Sequence, residues 1–274
     1  MIRASEKTNL PAYDAAASYY ASLDYLTPCE RLLFNSFIRP GSAVLDLGVG
    51  GGRTTRYLAS RASAYVGVDY SAAMVKACRE KFPQLEFRIA DAADLSEFRD
   101  ESFDAVVFAF NGIDYVFPSD GRRCCFQHIH RVLKRNGCVI FSSHNPRAIL
   151  VRPHWNRERV RKIARRFSSG SVLLYELLVA TLTCGCFGLA LAQCALATLA
   201  RTLRRVPSRA FWNGEGNFVD PSHGGLFTHY SVPDRVMEEM NAVGFRIERV
   251  LGDDYPLPAH PYATDWYYYV FTKR

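Results

Sequence analysis

Three acidic residues, each expected at the end of a strand, are the side chains best placed to bind a ligand. Asp46 lies just before a glycine-rich stretch, Gly48 to Gly52, and Asp69 and Asp91 follow at the ends of the next two apolar runs. Glycines let the backbone turn tightly and approach a ligand closely, ahead of a helix N-terminus. A carboxylate at the position of Asp69 can accept hydrogen bonds from both hydroxyls of a ribose. Asp91, with the small Ala92 after it, suits the amino group and flat ring of adenine.

The spacing of the glycines argues against a dinucleotide cofactor. Counted from Gly48 the pattern is GxGxxR, and counted from Gly50 it is GxGxxT, so neither completes the GxGxxG of dinucleotide-binding loops. A negative charge at Asp46 would repel a pyrophosphate and attract a cation. The predicted ligand therefore has a ribose and an adenine, places a cationic group near Asp46 and carries no phosphate.

The elements that must position these residues alternate between strands and helices. Apolar periodicity predicts strands at 42–48, 64–69, 85–90, 103–110, 138–143, 245–251 and 266–272, and helices at 53–62, from Ser71, at 122–134 and at 231–242. Such alternation implies a parallel, doubly wound sheet with right-handed crossovers, whose ligands bind beyond the carboxyl ends of the strands. Ser71 is the predicted N-cap of its helix, and Asn136-Gly137 the predicted end of the helix before the fifth strand.

Five blocks in order over residues 40–145 carry a resemblance to a known family. They read VLDLGVGGG, VGVD, IADAADL, SFDAVVFAFNGIDYV and HIHRVLKRNGCVIFSSHN. Together they resemble the successive motifs of class I S-adenosylmethionine-dependent methyltransferases. The resemblance implies a Rossmann-like α/β fold, a doubly wound, mostly parallel sheet of seven strands with an antiparallel last pair, and S-adenosyl-L-methionine as cofactor.

The resemblance also assigns cofactor-binding roles to individual residues. Asp46, Gly48 and Gly50 would line the methionine part of the cofactor, Asp69 would bind the ribose with Tyr70 beside it, Asp91 and Ala92 would contact the adenine, and Asn111 would face both cofactor and acceptor. Upstream, Tyr13 and Tyr20 lie in a helical stretch that in related enzymes folds over the cofactor, where a tyrosine ring can face the sulfonium cation. The alternative is that these tyrosines only pack that helix against the domain.

A catalytic base is needed only where the acceptor must lose a proton. The candidates are His144 after the fifth strand, Asp114 after the fourth, and His229 before the late helix. For each histidine the alternative is a loop side chain hydrogen-bonded to backbone. The sequence Asn111-Gly-Ile-Asp114 is unlike the Asn-Pro-Pro-Tyr loop typical of amino-group methylation, which favours an oxygen acceptor. Arg53 is expected to be solvated, although it could reach the cofactor carboxylate.

Metal binding is not predicted from the histidines and cysteines. The eight cysteines are scattered without a CxxC pair, which makes a zinc site and a disulfide framework poor interpretations. His128 and His130 are two positions apart on a predicted helix, so they cannot share a face as a metal pair would. The start of the chain lacks the basic flank and apolar run of a signal peptide, and a cytoplasmic location is expected.

The net charge of +7 belongs to one segment. Residues 151–210 contain eleven Lys/Arg and two Asp/Glu, a net +9, which leaves −2 on the rest of the 274-residue chain. Since the predicted fold itself is slightly acidic, a nucleic-acid partner is not expected. Overall, 49% hydrophobic and 22% charged residues are typical of an ordinary globular protein.

The same segment includes an apolar stretch, 171–200, in which Glu176 is the only charge. The sequence therefore divides into three parts. They are a methyltransferase core with an N-terminal helical lid (1–150), a basic and apolar helical insertion (151–210) and the C-terminal part of the core (211–274). A helical hairpin docked on the cytoplasmic membrane face, with basic flanks toward anionic headgroups, is one interpretation. A lid over the acceptor and a dimer interface are the others, and the sequence leaves the oligomeric state open.

These observations predict an S-adenosylmethionine-dependent methyltransferase that acts on oxygen. The acceptor would be a small molecule, a glycan or a lipid-linked compound, presented in the cytoplasm or at the cytoplasmic face of the membrane. The alternative is a non-catalytic module that keeps the methyltransferase fold for S-adenosylmethionine binding or membrane tethering. The register of the three acidic residues with the glycine loop counts against that alternative.

Overall fold

A computed structural model describes residues 9–116, 119–147, 164–182, 184–185, 188, 214–220, 226–253, 255–259 and 264–274. The strands are β1 Ser42–Leu47, β2 Ala62–Asp69, β3 Glu86–Ile89, β4 Phe103–Phe108, β5 Leu133–His144, β6 Glu215–Asp220, β7 Leu226–Ser231, β8 Phe245–Gly252 and β9 Trp266–Lys273. The helices are α1 Leu10–Ser22, α2 Pro28–Phe37, α3 Thr55–Ala59, α4 Ala72–Lys81, a 3-10 turn Gly112–Tyr115, α5 Ser119–Val132 and α6 Pro233–Val243.

Seven of these strands form one sheet in the order β3-β2-β1-β4-β5-β9-β8. Strands β1 to β5 are mutually parallel, and β9 runs antiparallel to both β5 and β8. The strand order reverses between β1 and β4, which is where ligands of doubly wound sheets bind. The predicted fold, including the antiparallel last pair, is confirmed.

Apolar residues cover both faces of the sheet because side chains alternate along each strand. On one face Leu45, Val106 and Phe141 pack with α5 and α6. On the other face Val44 and Val107 pack with residues of α2 and α4. The central strands are buried from both sides, which fixes the positions of their carboxyl ends.

The boundary between α5 and β5 differs from the prediction. Helix α5 ends at Val132, and β5 begins immediately with Leu133, which is fully buried and pairs with Phe103. Asn136 has a left-handed φ of 61° inside this strand, where the register with β4 shifts. The predicted helix stop at Asn136-Gly137 is therefore wrong: the pair forms an irregularity within a strand.

A second sheet was not predicted. Strands β6 and β7 pair antiparallel in a hairpin, and residues of β7 lie against β5 and the 3-10 turn. The sequence of β6, Glu-Gly-Asn-Phe-Val-Asp, lacks the apolar alternation that marks a half-buried strand. The hairpin places His229 on a strand and not in the loop where the sequence put it.

Helix α3 is also shorter than the predicted 53–62, because the turn at Gly52, with φ of 80°, continues to Thr54.

Much of the predicted insertion lies outside the described residues, including both predicted domain boundaries near 150 and 210. Within it, residues 164–167 and 172–182 are helical. The side chains of Phe167, Val172, Leu173 and Leu177 are all more than half exposed. No helix in the described part of the chain is long and apolar enough to cross a membrane.

Candidate active site

A cavity of about 480 Å³ lies at the carboxyl ends of the central parallel strands, with α1 along one side. Eleven residues predicted from the sequence line it: Tyr13, Tyr20, Asp46, Gly48, Gly50, Asp69, Tyr70, Asp91, Ala92, Asn111 and His144. They come from six separate stretches of chain, which the fold brings to one edge of the sheet. Their individual roles remain predictions.

The glycine loop after β1 lines the cavity and is closely packed at Gly48 and Gly51. Gly48 has a φ of 58°, and a Cβ at this position would lie 2.6 Å from the ring of Phe108. A Cβ on Gly51 would overlap the backbone of Tyr20 and Ala21 in α1. The loop is thus packed between the sheet and the N-terminal helix.

Asp46, at the end of β1, is a buried carboxylate. Its Oδ2 accepts hydrogen bonds from the hydroxyls of Thr54, at 2.9 Å, and Tyr65, at 2.8 Å. Burial raises the pKa of Asp46 to about 6, against the opposing effect of these two hydrogen bonds. A buried carboxylate of this kind favours a ligand that brings positive charge.

Asp69 connects the glycine loop to α4. Its Oδ2 accepts from the backbone N–H of Gly50 at 2.8 Å, and its Oδ1 from that of Ser71 at 2.9 Å. Burial raises the pKa of Asp69 to about 6, although these backbone donors lower it. Asp91, after β3, accepts from the backbone N–H of Ala93 at 2.8 Å and is partly exposed to the cavity.

Four tyrosines form an aromatic wall between α1 and the sheet. The Tyr13 ring lies 6.3 Å from Tyr20, 5.8 Å from Tyr70 and 5.7 Å from Tyr115, measured between ring centroids. Burial raises the pKa of the Tyr13, Tyr20 and Tyr70 phenols, so each remains neutral at physiological pH. The wall is a set of uncharged π faces along the cavity.

Helix α1 is attached to helix α4 by polar contacts on Asp14 and at its carboxyl end. The Ser71 hydroxyl, which also caps α4, donates to Asp14 at 2.5 Å. The Lys81 ammonium donates to the carbonyls of Ala21 and Leu23, each at 3.0 Å. The predicted N-cap at Ser71 is confirmed, and the N-terminal helix is held over the glycine loop.

The turn after β4 is strained and carries Asn111 into the cavity. Phe110 and Asn111 have left-handed φ values of 56° and 62°, which are rare for residues with a Cβ and most unusual for phenylalanine. The backbone N–H of Asn111 donates to the hydroxyl of Ser142 at 2.8 Å, which helps to hold this conformation. Such strain is typical of functional sites, where the surrounding structure imposes it.

His144 and Asp114 form a hydrogen-bonded pair in the cavity wall. His144 Nδ1 lies 2.8 Å from Asp114 Oδ2, and His144 Nε2 lies 3.0 Å from Asn111 Nδ2. His144 lines the cavity and Asp114 is buried behind it. The structure thus places two of the three candidate catalytic residues in direct contact.

His229, the third candidate, does not line this cavity. Its ring nitrogens lie 2.8 Å from Asn217 Oδ1 and 2.8 Å from Ser231 Oγ. Burial, together with the nearby charge of Arg122, lowers the pKa of His229 to about 4. It borders a separate cavity of about 240 Å³ whose other lining residues are Arg122, Glu215, Arg235, Glu238 and Glu239.

Arg53 is buried, and the expectation that it is solvated is wrong. Its guanidinium donates to both carboxylate oxygens of Glu30, at 2.7 and 2.5 Å, and lies over the rings of Tyr25 and Phe110. Glu30 is held in turn by the capping box of α2 at Thr27. The ion pair joins α2 to the end of the glycine loop.

Sequence reasoning missed several residues of the site. Glu30, Phe110, Arg122 and Trp266 take part in the cavity wall or support it. The capping box at Thr27 and Glu30 was a visible signal for the start of α2. No local pattern marks Arg122, whose importance depends on residues distant in sequence.

Comparison with known proteins agrees with this geometry. Residues 44–137 match the family model described as a methyltransferase domain. The chain is 34% identical over 116 residues to the demethylmenaquinone methyltransferase of Clavibacter sepedonicus, covering 41% of this chain and 45% of that protein. It is 35% identical over 117 residues to the ubiquinone biosynthesis O-methyltransferase of Pseudomonas syringae pv. tomato, covering 40% and 48%. The chain thus aligns with about half the length of these curated relatives.

The same fold occurs in solved structures. An S-adenosylmethionine dependent methyltransferase from Mesorhizobium loti superposes with a TM-score of 0.58 at 17% identity, covering 95% of this chain and 100% of that one. The strand order, the matched domain and the acidic residues after β1, β2 and β3 agree with one another. Residues 44–137 therefore form a methyltransferase domain, and the described chain has the fold of S-adenosylmethionine-dependent methyltransferases.

Proposed function

We propose that this protein transfers the methyl group of S-adenosylmethionine to a hydroxyl oxygen of a small molecule that contains an aromatic ring. The observation that carries the proposal is the contact between His144 and Asp114, 2.8 Å apart, in the wall of the cavity formed by the cofactor motifs. A histidine oriented by a carboxylate is a suitable general base for a hydroxyl.

The residues of the cavity fit the family's cofactor. When bound, S-adenosylmethionine supplies a methyl group on a positively charged sulfur. Asp69 would accept hydrogen bonds from the ribose, Asp91 from the adenine amino group, and the buried charge of Asp46 would favour the cationic end. The Asn111 Oδ1 atom, which is buried without a hydrogen-bond partner among the described residues, offers one further acceptor to a ligand.

The tyrosine wall supports the transfer in two ways. The rings of Tyr13, Tyr20 and Tyr70 would cover the cofactor and exclude water from it. Neutral aromatic faces near a cation are attractive by about 0.5–2 kcal/mol each. Because they carry no charge, these residues would stabilise the cation without reacting with it. Most of the acceleration then comes from holding donor and acceptor in line.

The hydrogen bonds of His144 indicate which ring nitrogen acts as the base. With Nδ1–H donating to Asp114, the lone pair of Nε2 accepts from the Asn111 amide. A bound acceptor hydroxyl would replace or share this contact and donate to Nε2. Its proton passes to His144 as the oxygen accepts the methyl group, and the imidazolium that results faces the Asp114 carboxylate.

The walls near His144 favour a flat, apolar acceptor. Phe110, Tyr115 and Trp266 line this part of the cavity, and the Tyr115 and Trp266 rings lie 6.3 and 6.5 Å from the His144 ring. Aromatic side chains in such edge-on arrangements bind aromatic rings well. The names of the two relatives, which refer to demethylmenaquinone and to ubiquinone biosynthesis, support an aromatic acceptor; glycan and lipid-linked acceptors are the alternatives.

The proposal includes docking on an anionic membrane surface through the exposed apolar helix at 172–182. Its exposed leucines and valine lie within a segment of net charge +9. Apolar side chains flanked by Lys/Arg suit the headgroup region of acidic lipids. A lid over the acceptor and a dimer contact remain the alternatives.

The proposed function is tested by incubating the purified protein with methyl-labelled S-adenosylmethionine and a lysate of the source organism. Label should enter a small molecule that partitions into the organic phase. Label in the aqueous phase alone would favour a glycan or another polar acceptor. Binding of the cofactor by calorimetry with no label in any phase would favour the non-catalytic module, and absence of binding would contradict the proposal.

Replacing Gly51 by alanine should weaken S-adenosylmethionine binding about tenfold or more. A Cβ at this position would overlap the backbone of Tyr20 and Ala21, so α1 must move away from the glycine loop. Calorimetry measures the affinity, and limited proteolysis within α1 should become faster. Gly41→Ala is the control, because its Cβ would meet no atom within 4 Å, although its φ of 82° adds a backbone strain that Gly51→Ala lacks. Equal affinities in the two variants would contradict the packing role.

Cofactor affinity should fall as the pH decreases from 7 to 5. Burial raises the pKa of Asp46 and Asp69 to about 6 in the free protein, while ribose hydroxyls and a cation favour the ionised carboxylates. Affinity should drop by about tenfold for each carboxylate that must ionise. Proton release on binding near pH 6, measured by calorimetry in buffers of different ionisation enthalpy, checks this. Binding without proton release would contradict it.

The pH dependence of the free energy of unfolding has the opposite sign to that of cofactor affinity. Because both pKa values lie above that of an unfolded aspartate, the free protein binds more protons than its unfolded state between about pH 4 and 6. Its free energy of unfolding should therefore decrease, through these two groups, as the pH rises across that range. Thermal unfolding with and without the cofactor separates the two effects.

The docking proposal predicts that the protein sediments with vesicles containing phosphatidylglycerol and much less with pure phosphatidylcholine. The double variant Leu173→Glu/Leu177→Glu should lose at least tenfold in vesicle affinity, because two exposed apolar side chains become charged. Leu257→Glu is the control, since Leu257 is 62% exposed in another part of the chain. A parent protein that stays in the supernatant with both vesicles would favour the lid or the dimer contact.

A further inference from the structure

Arg122 stands behind the His144–Asp114 pair and makes no contact with the cofactor cavity. It is 2% exposed, although it carries a charge, and it lies on α5, outside the five sequence blocks that carry the family resemblance. Burial alone would lower the pKa of its guanidinium, but the carboxylates of Glu239 and Asp114 more than offset this, and the net direction is upward. The side chain is therefore a permanent buried cation next to the proposed base.

The Asp114 carboxylate is shared between two basic side chains. Its Oδ2 accepts from the backbone N–H of His144 at 2.7 Å and from the His144 ring at 2.8 Å. Its Oδ1 accepts from the Ser143 hydroxyl at 2.6 Å and from Arg122 Nη1 at 3.2 Å. Because one negative charge faces two potential cations, the charge on Arg122 weakens the attraction that Asp114 exerts on a protonated His144.

The outer side of Arg122 is held by a second carboxylate. Arg122 Nε donates to Glu239 on α6 at 3.0 Å, and Glu239 is 28% exposed at its side chain. Charges thus alternate along the row Glu239, Arg122, Asp114, with His144 at the end that lines the cavity. A change at Glu239 alters how strongly Arg122 competes for Asp114.

At the outer end of this row, Arg122 and Glu239 border a cavity that is also lined by the charged side chains of Glu215, Arg235 and Glu238. The other groups that face Asp114 and His144 carry no charge at neutral pH. They are Asn111 and Tyr115 from the turn after β4, Tyr230 and His229 from β7, and Trp266 and Tyr269 from β9. Burial raises the pKa of Tyr269 well above its usual value, and burial keeps His229 neutral down to about pH 4. Arg122 is therefore the charge in direct contact with the pair, and Glu239 is the carboxylate in direct contact with Arg122.

We propose that Arg122 is a positioning residue that keeps His144 neutral in the resting enzyme, so that its Nε2 can accept the proton of the acceptor. The inference rests on the proposed role of His144 in methyl transfer. Without the guanidinium, the whole charge of Asp114 would act on His144 and hold a proton on the ring. With it, the pair still orients the ring, but the base is free to take up and release its proton in each cycle.

The test is an NMR titration of protein labelled with ¹⁵N-histidine, which needs neither acceptor nor catalysis. The His144 signals are identified by their loss in His144→Gln. In Arg122→Met they should change at a pH about one unit higher than in the parent protein. In Glu239→Gln, where Arg122 keeps its charge but loses its outer partner, they should change a few tenths of a pH unit lower. Arg122→Lys should lie close to the parent.

Opposite shifts in the two variants distinguish this role from a purely structural one. Arg131→Met is the matched control, since Arg131 also lies on α5 and donates to the carbonyls of Phe98 and Leu95, away from the pair. It should leave the His144 titration unchanged. If Arg122→Met does not fold, Glu239→Gln alone decides, because Glu239 is partly exposed. Shifts in the same direction, or none, would overturn the inference; absent methyl transfer with the expected shifts would contradict only the proposed function.

Discussion

His144→Gln should lower kcat for methyl transfer by about 10²–10⁴-fold, the usual contribution of a general base. The substitution removes the ring nitrogen that faces the cavity, while its other neighbours, Asp114 and Asn111, stay in place. Since the predicted cofactor contacts come from β1, β2 and β3, the affinity for S-adenosylmethionine should change less than about threefold, a loss below 1 kcal/mol. Transfer of label to the acceptor found in the lysate, with calorimetry for the cofactor, measures both quantities.

A matched control separates loss of the base from loss of any histidine. His128 lies on α5, outside the cavity, and His128→Gln should retain the parent's kcat. Asp114→Asn should also reduce kcat strongly, because an amide cannot accept from all four donors that surround the carboxylate. It should lower the melting temperature as well, which His144→Gln should not. If His144→Gln kept a third or more of the activity, the proposed base would be wrong.

The shared location of three acidic residues could be predicted because it depends on a simple geometric rule. Parallel strands end at a common edge, so Asp46, Asp69 and Asp91, each after a short apolar run, had to come together there. The structure brings them to one cavity with the glycine loop. The sequence also indicated Ser71 as an N-cap, since a serine before a helix is a local signal.

Buried ion pairs could not be predicted from local patterns. Arg53 reads as an exposed residue at the start of a helix, and only the tertiary fold brings Glu30, 23 positions earlier, into bidentate contact with it. Arg122 likewise meets Glu239, which is 117 positions away. A charged residue is usually interpreted as exposed to solvent, because the partner that would allow its burial is distant in the sequence.

The location of His229 was mispredicted for a different reason. Two glycines shortly before it, Gly224 and Gly225, and the helix predicted to begin at Ser231 favoured a loop. In the structure it lies on β7 because that strand pairs with β6, and a two-stranded pairing is a long-range property. The prediction that His229 serves as a base stays untested, although its neutral ring lies in a different cavity from the cofactor motifs.

Asp69→Ala should weaken S-adenosylmethionine binding by at least about 100-fold. Two hydrogen bonds from ribose hydroxyls to a carboxylate contribute about 1.5–3 kcal/mol each, so their loss alone corresponds to 3 kcal/mol or more. The carboxylate also fixes the backbone N–H groups of Gly50 and Ser71. Its removal would therefore loosen the glycine loop and the start of α4 together. Calorimetry at pH 7.5 measures the change in affinity.

Two further variants show which of these contributions dominates. Asp69→Asn keeps the size of the side chain, but its amide must turn an N–H toward either Gly50 or Ser71, both donors, and it cannot ionise. It should bind the cofactor weakly at every pH and lose that part of the proton release near pH 6 which belongs to Asp69. Asp94→Ala is the control, because Asp94 makes a similar bond to the backbone of Ser96 on the surface. Parent-like affinity in Asp69→Ala would mean that the ribose is bound elsewhere, and the cofactor placement proposed for this cavity would be wrong.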